Sequence, residues 1–180
     1  MRFPRYAAAL TVLVSGSFWL PAQQSGAAAD QHQARSVLSV VEGEHRELHQ
    51  KLNTLVKAGG DTGRAARAVE ELLRPHFVKE EQFALPPLRA LPGLAFDKLP
   101  GDANELIHVA DQLSRDMPTM LAEHEKIHGA LRRLQTAAEK EGNPEGTQFA
   151  KALAAHAAME EQVLYPAAVL VGRYLKLKAR

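Results

Sequence analysis

Beyond residue 35, apolar residues recur at i, i+3 and i+4 through long segments, the period of helices with one buried face. The pattern predicts a first helix over about Ser36–Lys57, stopped by Gly59-Gly60. A second opens with Asp61 or Thr62 as N-cap and ends before Pro86-Pro87. Pro92-Gly93 and Pro100-Gly101 mark residues 86–102 as a loop. A third helical region covers about Ala103–Glu141, with a kink or break expected at Pro118 and Gly142 as C-cap. Asn143-Pro144 reads as an N-cap followed by proline at the first helical position, opening a fourth helix to about Tyr165. A short C-terminal helix is expected after Pro166, ending in a basic tail.

The apolar stripes are interrupted in one consistent way. The first helix offers Val41, His45, Leu48, Leu52 and Leu55, and the second Val69, Leu72, His76, Glu80 and Phe83. The third offers Leu121, His124, His128 and Leu131, and the fourth Phe149, Leu153, His156, Glu160 and Val163. Each stripe carries a histidine at mid-length, where leucine would pack better, and two carry a glutamate as well. The chain also repeats itself. Glu44-His45 and His49 recur as Glu123-His124 and His128, while His76-x-x-x-Glu80-Glu81-Gln82 before Pro86 returns as His156-x-x-x-Glu160-Glu161-Gln162 before Pro166. Two helix pairs packed as one antiparallel, all-α four-helix bundle follow from this doubling and from the short connections.

Composition supports helices and narrows the chemistry. Thirty alanines and twenty-four leucines stand against two isoleucines, a mixture that favours helix over strand. With no cysteine there is no disulfide, thiolate metal site, iron–sulfur ligation or thiol nucleophile. Twenty-two basic residues against twenty-one acidic ones give no footprint for nucleic acid. The first twenty-nine residues have their own logic. Arg2 and Arg5 precede an uncharged apolar run, Ala7–Leu20, and Ala27-Ala28-Ala29 supplies small residues before Asp30. That order is expected of a signal peptide over 1–29, too short in its apolar part to span a bilayer. The remaining domain, 30–180, is then a secreted or periplasmic protein with no stable membrane insertion.

A histidine and a glutamate four residues apart share one helix face, about 6 Å apart along the axis. A buried carboxylate costs several kcal/mol unless it is paired, protonated or bound to a cation. No lysine or arginine lies on the stripes to pair with Glu80 and Glu160. A metal is the natural compensation, since imidazole and carboxylate both ligate borderline first-row ions. His45, His76, Glu80, His124, His156 and Glu160 therefore form a candidate set for two adjacent metals, with the carboxylates bridging. Glu81 and Glu161, one residue off the stripe, read as surface groups or supports for the ligands. His32 falls in a start expected to be disordered and His108 has no repeat partner, so both are left out.

Two other motifs compete. His124-Glu125-Lys126-Ile127-His128 fits the H-E-x-x-H pattern of zinc proteases, but its repeat counterpart has Arg46 where the general base would stand. No convincing strand is present to align a peptide. Glu42/His45 and Glu125/His128 have the Glu-x-x-His spacing of ferritin-like sites, yet they do not correspond under the repeat.

The doubled pattern, Glu-His on one helix and His-x-x-x-Glu-Glu-x-x-x-x-Pro on the next, resembles the hemerythrin or HHE cation-binding family over about Val40–Val169. The resemblance implies an up-down-up-down bundle around a non-haem di-iron centre, with zinc or manganese as less expected metals. It makes His45, His124, the pair His76 and Glu80, and the pair His156 and Glu160 ligands. It adds His128 through the His-x-x-x-His of oxygen-carrying members. Those members also end on a carboxylate five residues after the last histidine, which here is Glu161. The chain departs from the pattern in carrying His49, and in Pro75 just before His76, where a kink is expected. Two six-coordinate irons offer roughly twelve positions, a count that keeps one open only if a histidine stays unbound. The resemblance to oxygen carriers makes His128 the ligand, with His49 a hydrogen-bond donor beside the open position or packed in the core. Members of such a family bind oxygen, sense oxygen or nitric oxide, handle peroxide or assist iron–sulfur repair. The expected function is an exported di-iron protein binding oxygen, nitric oxide or peroxide; a non-enzymatic envelope store for iron or zinc is the alternative. Whether the centre turns over a substrate is left open.

Overall fold

A computed structural model describes residues 26–179, with side chains from residue 39 onward. The expected signal segment thus lies outside the described residues up to residue 25. The described residues contain helices and no strand. The first helix, α1 (Gly26–Ala58), begins ten residues earlier than the polarity pattern suggests. Ala27, Ala28 and Ala29 are strong helix formers and no proline follows them before Ala58, so nothing stops the helix at Ser36.

The second helix, α2 (Gly60–Lys79), starts differently from expectation. Gly59 and Gly60 both take positive φ, 76° and 65°, which glycine adopts without strain. Asp61 and Thr62 therefore lie inside the first turn instead of capping it. Their backbone N–H groups donate to the two carboxylate oxygens of Glu141, at 2.7 and 3.0 Å. Hydrogen bonding from Thr62, helped by the charge of Arg64, holds the Glu141 pKa below its ordinary value. The helix runs on through Pro75, where a kink was expected.

A π turn, Glu80–Ala84, then widens the helix, with Leu85 N–H bonded to the Glu80 carbonyl five residues back. Pro86 follows at once. Its ring crowds a carbonyl of the preceding turn and offers no N–H, and adding a residue to that turn relieves the conflict. The same event recurs under the repeat: a π turn over Glu160–Leu164, with Tyr165 N–H on the Glu160 carbonyl, precedes Pro166.

Residues 86–102, expected as loop, hold two single helical turns, α3 (Leu85–Leu88) and α4 (Leu91–Leu94). Leu85, Leu88 and Ala90 anchor the segment in the core, and Arg89 pairs with Asp102. The third long helix, α5 (Ala103–Glu141), passes Pro118 without a break and ends at Gly142 with φ 64°. Asn143 caps α6 (Pro144–Met159), its side chain accepting from Gly146 N–H at 2.9 Å, as the sequence pattern predicts. After the second π turn, α7 (Tyr165–Lys178) is the C-terminal helix expected at Pro166, and it continues the rod of α6.

Four rods thus form a bundle: α1; α2 with its π turn; α5; and α6 with its π turn and α7. Contacts run from α1 to α2, α2 to α5, α5 to α6 and α7, and from α6 back to α1. Gly172 permits close approach on α5, since a Cβ there would lie 2.3 Å from that of Ala110. The interior is layered. One apolar cluster gathers Leu48, Leu52, Leu73, Phe77, Ile127 and Leu153. A second gathers Val41, Leu85, Leu88, Met120 and Tyr165. Every stripe histidine falls in sequence between a residue of one cluster and a residue of the other.

The stripes shift where the helices deviate. Val163 is 55% exposed and Phe83 only partly buried, because each π turn rotates the following residues by about one position. Leu85 and Tyr165 take the inward places. On α5 the buried face is Met120, His124, Ile127 and Leu131, and Leu121 points outward. No described helix is long and apolar enough to cross a membrane.

Candidate metal centre

His45, His76, Glu80, His124 and Glu160 are each 2% exposed or less, and the His156 side chain is nearly as deep. Their donor atoms converge in two groups. His76, Glu80, His124 and Glu160 each place an atom within 4.8 Å of the others, and His45, His156 and Glu160 do the same. The carboxylates span the two groups. Glu160 directs Oε1 to His156 and His45, at 2.7 and 3.5 Å, and Oε2 to His124 at 3.6 Å. Glu80 directs Oε1 to His76 at 3.4 Å and Oε2 to His45 at 3.7 Å. In all these contacts the imidazole atom is Nε2.

The opposite nitrogen of each ring, Nδ1, faces a different carboxylate. His45 meets Glu81 at 3.5 Å, His76 meets Glu123 at 3.0 Å, His124 meets Glu161 at 2.7 Å and His156 meets Glu44 at 3.6 Å. The partners run in a closed circuit, each histidine reaching the neighbouring rod: α1 to the π turn after α2, α2 to α5, α5 to the π turn after α6, and α6 to α1. A carboxylate at Nδ1 holds the proton there and turns the Nε2 lone pair inward. Phe77 stacks on the His45 ring at 3.9 Å, nearly parallel, and fixes its plane.

This arrangement fits a cation. His76 Nε2 and His124 Nε2 face each other at 2.7 Å. With both Nδ1 atoms protonated, two lone pairs are opposed unless a positive charge lies between them. His45 Nε2, Glu80 Oε2 and His156 Nε2 are buried with no hydrogen-bond partner; His156 and Glu160 are close, but not in hydrogen-bonding orientation. Buried polar atoms in proteins are otherwise almost always paired. Four imidazoles and two carboxylates are the donor set of a borderline first-row metal.

Electrostatics agree with the geometry. Burial pushes the pKa values of His76 and His156 down, but nearby glutamates outweigh it, Glu80 and Glu123 for His76 and Glu160 for His156, and both stand above ordinary. Burial alone would raise Glu160; its close contacts with the His156 and His45 imidazoles and the charges of His156 and His124 pull it well down. Glu123 is likewise raised by burial and lowered further by Lys79 and His76, with a net fall.

His45, His76, Glu80, His124, His156 and Glu160 are brought together. His128 is not. It is half-buried, its ring 6.4 Å from that of His124 by centroids, and it contributes to neither donor group. One helical turn beyond His124, the inward side of α5 belongs to Ile127 and Leu131. His49 also stands outside both groups, its ring edge-on to Phe77 at 5.2 Å, and burial with the charge of His45 depresses its pKa. His108 is exposed. Glu81 and Glu161 reach histidine Nδ1 atoms. Two features lie outside the apolar stripes. Glu44 and Glu123 were visible as the Glu of a repeated Glu-His, but their reach to the next helix was not. Tyr165 was unmarked; its hydroxyl is buried in the first donor group and donates to Glu80. Burial and the charges of Glu80 and Glu160 push its pKa far up, so without a cation it is neutral. The available signal was asymmetry, since Tyr165 answers to Leu85 under the repeat.

A family model described as hemerythrin HHE cation binding domain matches residues 36–168. No curated protein matches the chain, and no solved structure does.

Proposed function

The chain belongs to the hemerythrin HHE cation-binding family, and on that footing we propose that it is an exported di-iron protein whose centre binds oxygen, nitric oxide or peroxide. One observation carries the reading: Glu80 and Glu160 each divide their two oxygens between two groups of imidazoles. A carboxylate so placed would offer one oxygen to each of two ions. His76 and His124 would hold one ion, His45 and His156 the other. Iron bound there supplies a redox-active Lewis acid that small ligands can join. The chain's own residues do the rest. Glu81, Glu123 and Glu161 hold the Nδ1 protons of His45, His76 and His124, and the Glu44 carboxylate faces Nδ1 of His156. Phe77 orients His45, and the two apolar clusters exclude water on either side.

The short links at Gly59 and at Gly142-Asn143 support an up-down-up-down order. The basic start, apolar run and alanine triplet support export with cleavage near Asp30. An envelope fraction yielding only a full-length chain by intact mass would refute that step. Function is tested on iron-loaded protein. Azide or nitric oxide is expected to change its visible absorption, whereas a metal store or a zinc buffer would give no ligand-dependent spectrum.

A further inference from the structure

The two donor groups are unequal, and the difference is Tyr165. Its hydroxyl oxygen lies 3.4 Å from His76 Nε2 and 3.3 Å from His124 Nε2, and it donates to Glu80 Oε1. These neighbours are the donors of one metal position. Two ligands at about 2.1 Å from a metal and at right angles are about 3.0 Å apart. The separations among His76 Nε2, His124 Nε2, Glu80 Oε1 and the phenol oxygen bracket that spacing. We propose that the Tyr165 oxygen is a protein ligand to the metal held by His76, Glu80, His124 and Glu160.

Proton counting supports it. Glu123 and Glu161 hold the Nδ1 protons of His76 and His124, and Tyr165 spends its single proton on Glu80. With both imidazoles neutral, the phenol lone pairs and both Nε2 lone pairs then converge on one small volume with no hydrogen left to separate them. A hydroxyl present only to orient Glu80 has no reason to stand within 3.4 Å of both imidazoles. On coordination the O–H bond gives way to an oxygen–metal bond and the proton leaves to solvent. The other group has no such donor: under the repeat its position is Leu85, buried and apolar. The His76/His124 metal therefore has five protein residues around it, and an added small ligand joins the His45/His156 metal.

The inference rests on the two-metal reading, and the test separates them. The full chain is loaded with ferrous iron without oxygen, then oxidised in air. Iron content, visible absorption and resonance Raman spectra are recorded for wild type, Y165F and Y174F. The expected result is two irons per chain in all three. A phenolate-to-iron charge-transfer band with enhanced tyrosinate ring modes should appear in wild type and Y174F and vanish in Y165F. Two irons without tyrosinate modes in wild type would overturn Tyr165 ligation and leave the two-metal reading standing. A band that survives Y165F would overturn it too. No bound iron at all would remove both. Should Y165F not fold, wild type and Y174F still decide: tyrosinate modes kept in Y174F support the assignment, and modes lost there overturn it.

Discussion

His76 Nε2 and His124 Nε2 face each other at 2.7 Å while their Nδ1 atoms are held by Glu123 and Glu161. Such a pair needs a cation, and in the metal-free protein the cation is a proton. His76 and His156 carry raised pKa values in the fold. Their contribution to stability is fully present below the unfolded value, about 6.5, and is lost as pH rises through the raised folded values. Glu160, held low, contributes above its ordinary 4.5 and loses that contribution as pH falls through its folded value. Chelator-stripped protein is therefore expected to melt lower at about pH 8 than at about pH 6. Metal affinity should rise over the same interval, because binding displaces the protons. Metal-free protein that gains stability from pH 6 to 8 would contradict this.

The circuit of carboxylates at Nδ1 makes a prediction about residues that touch no metal. Removing such a partner frees the ring and lowers its basicity, typically costing about 10–100-fold in metal affinity. Glu123→Ala and Glu161→Ala should show that loss in chelator competition, with helical content unchanged. Glu161→Gln should fall between, since an amide oxygen still accepts from Nδ1–H but carries no charge. Unchanged affinity in both alanine variants would mean the carboxylates are surface bystanders.

Ligands and neighbours separate by metal content. Glu80→Ala and Glu160→Ala are each expected to lose most of the bound metal while remaining helical, because the apolar clusters on either side stay intact. His49→Ala and His128→Ala are expected to keep about two metals per chain, since neither ring enters a donor group. Loss of one metal in His128→Ala, measured by elemental analysis, would restore His128 to the ligand set.

Much of this centre was legible because it is written twice. His45, His76, Glu80, His124, His156 and Glu160 break four apolar stripes at corresponding places, and buried polar residues without an inward lysine or arginine call for a cation. What escaped was non-local or non-periodic. A stripe at i, i+3, i+4 assumes an unbroken helix, so Phe83 and Val163 were read as core. The π turns before Pro86 and Pro166 hand those places to Leu85 and Tyr165. The Glu141 carboxylate at the start of α2 lies eighty residues from Asp61, beyond any local capping rule. His128 fitted a spacing, but spacing does not say which side of α5 faces inward at that level. Tyr165 drew no attention because tyrosine on a helix usually packs, and only its contacts with Glu80, His76 and His124 mark it.

On the proposed reading, two groups of donors, joined by Glu160 and by the reach of Glu80 to His45, hold two metals in one chain. Metal-to-protein stoichiometry of chain loaded with iron, by elemental analysis beside quantitative amino-acid analysis, tests it most directly. Wild type is expected to hold two irons per chain and Glu160→Ala far fewer, because Glu160 is common to both groups. One iron per chain in wild type, or two retained in Glu160→Ala, would contradict it.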